Sequence, residues 1–222
     1  MLSTSTSLSR SRYSGSKKNR GFTLVELLVV VSIMLIITST LLLQQQKFNS
    51  ATLMRTLAYN IALSIRQAHV YGTSVVGTDN SGTITFAAGY GIYIDKNTPD
   101  SYQFFADLNN NGSYDVGESQ KTFNLGSGYT INNYCAINPS RSYCKVLPSY
   151  NSVRLGSLSI VFKRPNPDAQ FLATNWSFSP INQSFSNIFL QVQGPGGDTR
   201  AVSVTTTGQI SVCGANKTIP DC

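Results

Sequence analysis

Residues 21–43 read GFTLVELLVVVSIMLIITSTLLL, so the 22 positions after Gly21 hold one formal charge, Glu26. A helix of about 20 apolar residues, rising about 1.5 Å per residue, matches the hydrocarbon thickness of a bilayer. The segment is therefore expected to span a membrane. Arg10, Arg12, Lys17, Lys18 and Arg20 precede it and no comparable cluster follows. The positive-inside rule then holds residues 1–20 in the cytoplasm and exports everything beyond Gln44. A secretory signal would end in small residues at a cleavage site, but Thr38-Ser39-Thr40 is followed by more leucine. Glu26 is the anomaly, because a carboxylate inside a membrane helix costs about 2.5–3.5 kcal/mol on insertion scales and calls for a cationic partner.

A basic leader, then Gly21-Phe22-Thr23-Leu24-Val25-Glu26, then unbroken aliphatics, resembles the class III signal of type IV pilins and type II secretion pseudopilins. The resemblance implies that a prepilin peptidase cuts between Gly21 and Phe22 on the cytoplasmic side and methylates the Phe22 amine. It further implies that Glu26 pairs with that amine in a neighbouring subunit of a helical filament. The physics is coherent: either charge alone is expensive in an apolar setting, and together they specify register. The leader, at 21 residues and rich in Ser and Thr, is long for the family. The implied partners are other pilin subunits, the peptidase, an inner-membrane assembly platform and the membrane itself before assembly. The implied location is the cytoplasmic (inner) membrane as a single-pass precursor, then an extracellular pilus or a periplasmic pseudopilus.

Removing the leader leaves 12 basic against 10 acidic residues, so the sequence pI of about 9.3 does not argue for nucleic acid. A phosphate-binding face would need clustered cations, and Arg154, Lys163 and Arg164 read as a scattered, solvated set.

Beyond the apolar run, Leu53, Leu57, Ile61 and Ile65 recur every four residues with Met54, Ala58, Ala62 and Ala68 alongside, and Gly72 reads as a C-terminal stop. One helix is expected over residues 22–71, its first half (22–43) in the membrane or filament core. No Pro or Gly interrupts it, whereas many major pilins carry a Pro there. The stretch LAYNIALSIRQAHVYGTSVV is similar to the corresponding helix of GspH/FimT-type minor pilins and pseudopilins. His69 within it reads as a packing or surface residue.

From residue 72 onward the composition turns to Gly, Ser, Asn, Tyr and β-branched residues. Strands are expected within 83–86, 90–94, 102–105, 157–162, 187–192 and 200–205, with a loop at 194–197 and a hairpin around Gly208. The fold class is therefore α+β: a leader (1–21), a long N-terminal helix and a β-rich head (72–222) built partly on that helix, as in pilins.

Cys135, Cys144, Cys213 and Cys222 all lie on the exported side. Three connectivities exist. Cys135–Cys144 and Cys213–Cys222 are preferred because each closes a short loop, worth roughly 2–4 kcal/mol, and neither pair has zinc-knuckle spacing. A C-terminal disulfide loop also suits the pilin resemblance.

Residues 107–118, DLNNNGSYDVGE, satisfy the twelve-residue calcium-loop pattern. Side-chain oxygens come from Asp107, Asn109, Asn111, Asp115 and Glu118, a backbone carbonyl from Ser113, and Gly112 supplies the sharp turn. A strand-like segment precedes the loop instead of a helix, and an Asn/Gly turn held by side-chain-to-backbone bonds is the competing reading. With three charged ligands, binding would be weak and suited to extracellular calcium.

No enzyme constellation is visible: one histidine, on a helix, offers no triad, and there is no HExxH or phosphate loop. The function expected is structural or adhesive, as a minor pilin of a type IV pilus or, alternatively, as a pseudopilin of a type II secretion system. A DNA-uptake role of the FimT kind would want arginines at the C-terminal hairpin, and Gly208-Gln209-Ile210-Ser211 has none.

Overall fold

The computed structural model describes residues 21–74, 76–80, 83–86, 89–126, 128–146 and 153–216. The leader and Cys222 lie outside them. The chain divides into two compact units, residues 1–45 and 46–222. Among the described residues one helix, α1 (Leu24–Thr73), and twelve strands make an α+β fold, an apolar N-terminal helix followed by a β-rich domain.

Helix α1 begins and ends two residues later than the sequence suggests. Its start is set by Thr23, whose Oγ1 accepts the Glu26 N–H at 3.2 Å while its carbonyl accepts the Leu27 N–H at 3.1 Å. Thr23 is thus the N-cap and Glu26 the third helical residue, the spacing of a capping box. At the other end Gly72 is not a left-handed stop. It is helical and buried, and a Cβ there would sit 2.1 Å from the Phe162 carbonyl oxygen. Only a residue without a side chain lets the last turn come this close to the sheet.

In the second unit, the helix face in the core is Met54, Ala58, Ile61, Ile65 and Ala68. Leu53 is exposed and Leu57 only partly buried. The expected every-four row fails because four residues overshoot a turn by about 40°, so alternating steps of four and three are needed to stay on one face.

The strands are β1 (Thr78–Asn80), β2 (Thr83–Thr85), β3 (Gly89–Asp95), β4 (Ser101–Asp107), β5 (Ser119–Asn124), β6 (Thr130–Asn138), β7 (Arg141–Cys144), β8 (Val153–Phe162), β9 (Gln170–Asn175), β10 (Asn187–Gln193), β11 (Thr199–Thr205) and β12 (Ile210–Val212). Strands β1 and β2 pair by themselves. The rest form a sheet in the order β12-β11-β10-β6-β7-β8-β3-β4-β5, with β9 also on β8. All its pairings are antiparallel except β7 with β8, which meet in parallel over only Tyr143↔Val153 and Cys144↔Arg154. That short junction joins the two halves of the sheet.

Alternate residues of the strands face the helix. Ile188, Leu190 and Val192 of β10, Ile131, Tyr134 and Ala136 of β6, and Leu158, Ile160 and Phe162 of β8 share one core with the α1 stripe. Ser64 and Tyr102 hydroxyls bond at 2.8 Å inside it, and Tyr71 packs edge-on against Tyr90 and Phe104. On the opposite face Phe189 and Ile137 pack with Cys135 and Cys144.

Candidate functional site

The N-terminal segment is built for an apolar surrounding. Residues 21–23 precede the helix, Phe22 is 81% exposed, and every described side chain from Leu24 to Leu42 faces outward. Its mean hydropathy of 2.5 over 19 residues makes it long and apolar enough to cross a membrane. Three hydroxyls within it are satisfied inside the helix: Ser32 donates to the Val29 carbonyl (2.8 Å), Thr38 to Met34 (2.8 Å) and Thr40 to Ile37 (2.8 Å). In lipid, where no water can replace a missing partner, such back-bonding removes the cost of a hydroxyl. Glu26 is the one ionisable group in this span, and it stands one turn into the helix, exposed beside the positive end of the helix dipole.

Residues 16–42 match the family model described as the prokaryotic N-terminal methylation motif. The chain carries the type IV pilin and pseudopilin signal. No curated protein and no solved structure matches it. The motif supports a type IV pilin-like or pseudopilin precursor, its N-terminal helix is long and apolar enough to anchor it in a membrane, and the signal implies prepilin peptidase processing and assembly with other pilins.

The calcium-like residues form one loop joining β4 to β5. Tyr114 fastens it to the outer face of the sheet, with ring centres 4.8 Å from Tyr93 and 5.6 Å from Phe105. Asp107 is fully buried and Glu118 is 4% exposed. Asp107 accepts the Asn111 N–H (3.0 Å) and the Gly112 N–H (2.8 Å), and Gly112 has φ +77°. Glu118 accepts the N–H groups of Leu108 (2.9 Å) and Asp115 (2.9 Å). Asn109 and Asn111 each donate their side-chain amide to the same Asp115 oxygen at 2.7 Å. The Asn111 side-chain oxygen accepts the Ser113 N–H at 2.7 Å, and Asn109 does the same for Asn111 at 3.0 Å. The loop is therefore closed by its own bonds, with two amide groups occupying the acceptor sites of Asp115 that a cation would use. Among the described residues no set of three or more His, Cys, Asp or Glu is arranged to hold a metal.

Cys135 and Cys144 face each other in the β6–β7 register and are bonded. Cys213 is also disulfide-bonded, and its expected partner Cys222 lies outside the described residues. The pair Cys135–Cys144 clamps the four-residue β7 next to the parallel junction with β8. His69 packs on Phe162 with ring centres 4.8 Å apart, the packing role expected of it.

The three cations of the strand-rich region do not form a patch. Lys163 donates to the Asn110 side chain at 3.3 Å, Arg164 to the Phe86 carbonyl, and Arg154 stacks on Trp176. Two features escaped sequence reading. The Thr23 cap was available as Thr followed three residues on by Glu. The gathering of Lys96, Arg154, Trp176 and Phe178 had no local signal, because it comes from three separate segments.

Burial pushes the phenol pKa values of the head upward. Desolvation raises Tyr134, Tyr102 and Tyr93, with the Asp95 charge adding to the effect at Tyr134, while the Ser64 hydroxyl partly offsets it at Tyr102. Desolvation lowers Lys145, opposed by Asp95.

Proposed function

We propose that this chain is cut between Gly21 and Phe22, methylated on Phe22 and drawn from the cytoplasmic membrane into a type IV pilus as a minor pilin. The observation that carries the reading is the helix Leu24–Leu42, apolar on all sides and headed by one carboxylate. A helix of this kind has to be covered by lipid or by other helices. Lipid covers it in the precursor and neighbouring α1 helices in the filament, where the Phe22 ammonium of one subunit meets Glu26 of the next. Within the head, Tyr59, Leu63 and Val70 form an exposed apolar row on α1 opposite the core stripe, which suits further packing between subunits.

The same signal serves the pseudopilins of type II secretion, and sheared surface filaments separate the two. A pilin is recovered in the sheared fraction with its N-terminus at Phe22 and one added methyl group. A pseudopilin is missing from that fraction, and deleting its gene stops export of secreted enzymes while surface filaments persist. An unprocessed chain in the membrane fraction under both conditions overturns both readings.

We also propose calcium as a ligand of loop 107–118. Its support is the ligand spacing together with Asp107 and Glu118, buried carboxylates that no cation among the described residues neutralises. Calcium would replace the two amide donors on Asp115 once the Asn109 and Asn111 amides turn their oxygens inward. Calorimetry on residues 46–222 should show heat with millimolar calcium that Asp115→Ala abolishes. Absence of heat in the wild type removes the proposal.

A further inference from the structure

The turn after β9 displays two aromatic side chains on a rigid mount. Asn175 Oδ1 accepts the N–H groups of Ser177 and Ser179, both at 2.9 Å, and the Asn175 carbonyl accepts the Phe178 N–H at 2.9 Å. Phe178 is held at φ +60°, a region that a bulky residue rarely occupies and that costs of order 1–3 kcal/mol. The turn thus uses strain to hold out a large apolar ring: Phe178 is 41% exposed and its neighbour Trp176 39%.

Two cations converge on these rings. Lys96 Nζ lies 4.2 Å from the indole centre and 4.6 Å from the Phe178 ring, and it donates to the Trp176 carbonyl. The Arg154 guanidinium lies 4.2 Å from the same indole. Both positions are fixed by the sheet. The Lys96 N–H bonds the Gly156 carbonyl at 2.9 Å, and Arg154 stands in register with Cys144, which is tied to Cys135. Among the described residues neither cation has a carboxylate partner, and the Arg154 fork donates to no protein acceptor. Both cations lie on the same indole, so a nearby anion is attracted by two unneutralised positive charges at once.

We infer that Lys96, Arg154, Trp176 and Phe178 form a binding site for an acidic polysaccharide, with a uronate carboxylate on the Arg154 fork and the sugar ring against Phe178 and the indole edge. A planar carboxylate matches the two parallel N–H groups of a guanidinium, and the indole beside Arg154 limits where that group can point. The exposed aromatic surface offers the apolar C–H face of a pyranose a dry contact. Only two cations are gathered, whereas affinity for a phosphate backbone grows with the number of phosphates neutralised, so a sugar acid fits better than a nucleic acid. The site lies entirely in the head and does not depend on which filament the chain joins.

Trp176 is the chain's only tryptophan, so its fluorescence reports the site directly. The full chain in detergent micelles is titrated with polygalacturonate in EDTA, which removes any contribution of calcium. Saturable change in tryptophan emission is expected, weakened by salt and absent with neutral dextran. Arg154→Gln and Lys96→Gln should each weaken binding about tenfold, whereas Lys121→Gln, which removes a cation stacked on Phe123 of β5, should leave it unchanged. Circular dichroism confirms that the variants fold. No saturable response to polygalacturonate, equal binding by Arg154→Gln, or a response to single-stranded poly(dT) at lower concentration than to polygalacturonate each overturns the inference.

Discussion

Replacing Gly72 decides whether that glycine ends the helix or lets it dock. Helix propensity alone would have Gly72→Ala stabilise the head by about 1 kcal/mol, since Gly72 lies inside α1 and not at a left-handed position. The packing predicts the opposite sign. An added Cβ would meet the Phe162 carbonyl oxygen at 2.1 Å, its carbon at 2.7 Å and the Phe162 Cβ at 2.9 Å, where ordinary contact starts at 3.4 Å. The obstacle is mostly backbone, fixed in the pairing of β8 with β3, so α1 has to move away by more than an ångström. That movement loosens His69 on Phe162 and Tyr71 against Tyr90 and Phe104. Overpacking of this kind costs about 1–3 kcal/mol, and relief of the glycine penalty returns up to about 1. The expected net loss is about 1–2 kcal/mol, read as a lower urea midpoint of residues 46–222 at unchanged slope. Gly72→Asn should be worse than Gly72→Ala, because a larger side chain meets the same carbonyl, whereas a left-handed cap would prefer Asn. Gly196→Ala is the control, its Cβ meeting only Asp198 at 3.8 Å. A stabilised Gly72→Ala, or Asn ranking above Ala, would refute the close-approach argument.

Replacing Cys135 and Cys144 by serine should cost about 2.6 kcal/mol from the nine-residue separation they close, measured by urea unfolding of the oxidised head. Calcium at tenfold excess over its Kd should stabilise the same fragment by about 1.4 kcal/mol, seen as a shifted midpoint that Asp115→Ala loses. Tyr134, Tyr102 and Tyr93 hold their protons more tightly folded than unfolded, so their contribution is complete below pH 10 and lost as pH rises through the elevated folded values. Alkaline spectrophotometric titration should show these phenols ionising late, together with unfolding. Glu26→Gln should fold, insert and be cleaved as the wild type does yet be depleted from filaments, checked by quantifying the chain in sheared and membrane fractions.

The parts of the fold that local pattern encodes were legible. The apolar run showed by composition alone, and β3, β4, β8, β10 and β11 announced themselves through β-branched and aromatic residues. Strands β5, β6, β7 and β9 did not. Strand β5, SQKTFN, is an almost wholly exposed edge with no apolar alternation. Strand β6 carries Asn132 and Asn133, turn formers by propensity, yet it is fixed between β10 and β7, and Asn133 accepts the Val146 N–H at 2.9 Å. Here tertiary pairing overrides local preference. Strand β7 has four residues, and its place depends on a disulfide and a neighbour distant in sequence. The twelve-residue spacing of loop 107–118 was visible, whereas its internal hydrogen bonding and the burial of Asp107 follow from Tyr114 packing on the sheet. The aromatic and cationic cluster was invisible because residues 96, 154 and 176–178 meet only in the folded head.

Glu26 carries two arguments that the structure separates. As the third residue of a helix capped by Thr23, a carboxylate is favourable for local reasons: it faces the positive end of the dipole, worth about 0.3–1 kcal/mol at exposed sites. That gain is smaller than the roughly 2.5–3.5 kcal/mol cost of an acid within a membrane helix. Capping alone therefore does not account for a charged residue here, since glutamine fills the same capping-box position without the insertion cost. The difference has to be recovered in a state other than the lone precursor. The proposed cleavage after Gly21 would create such a state, because it places an ammonium on Phe22, four residues before Glu26, whose backbone N–H is bound by Thr23. In the proposed filament, the carboxylate of a neighbouring subunit is the partner that would satisfy both charges.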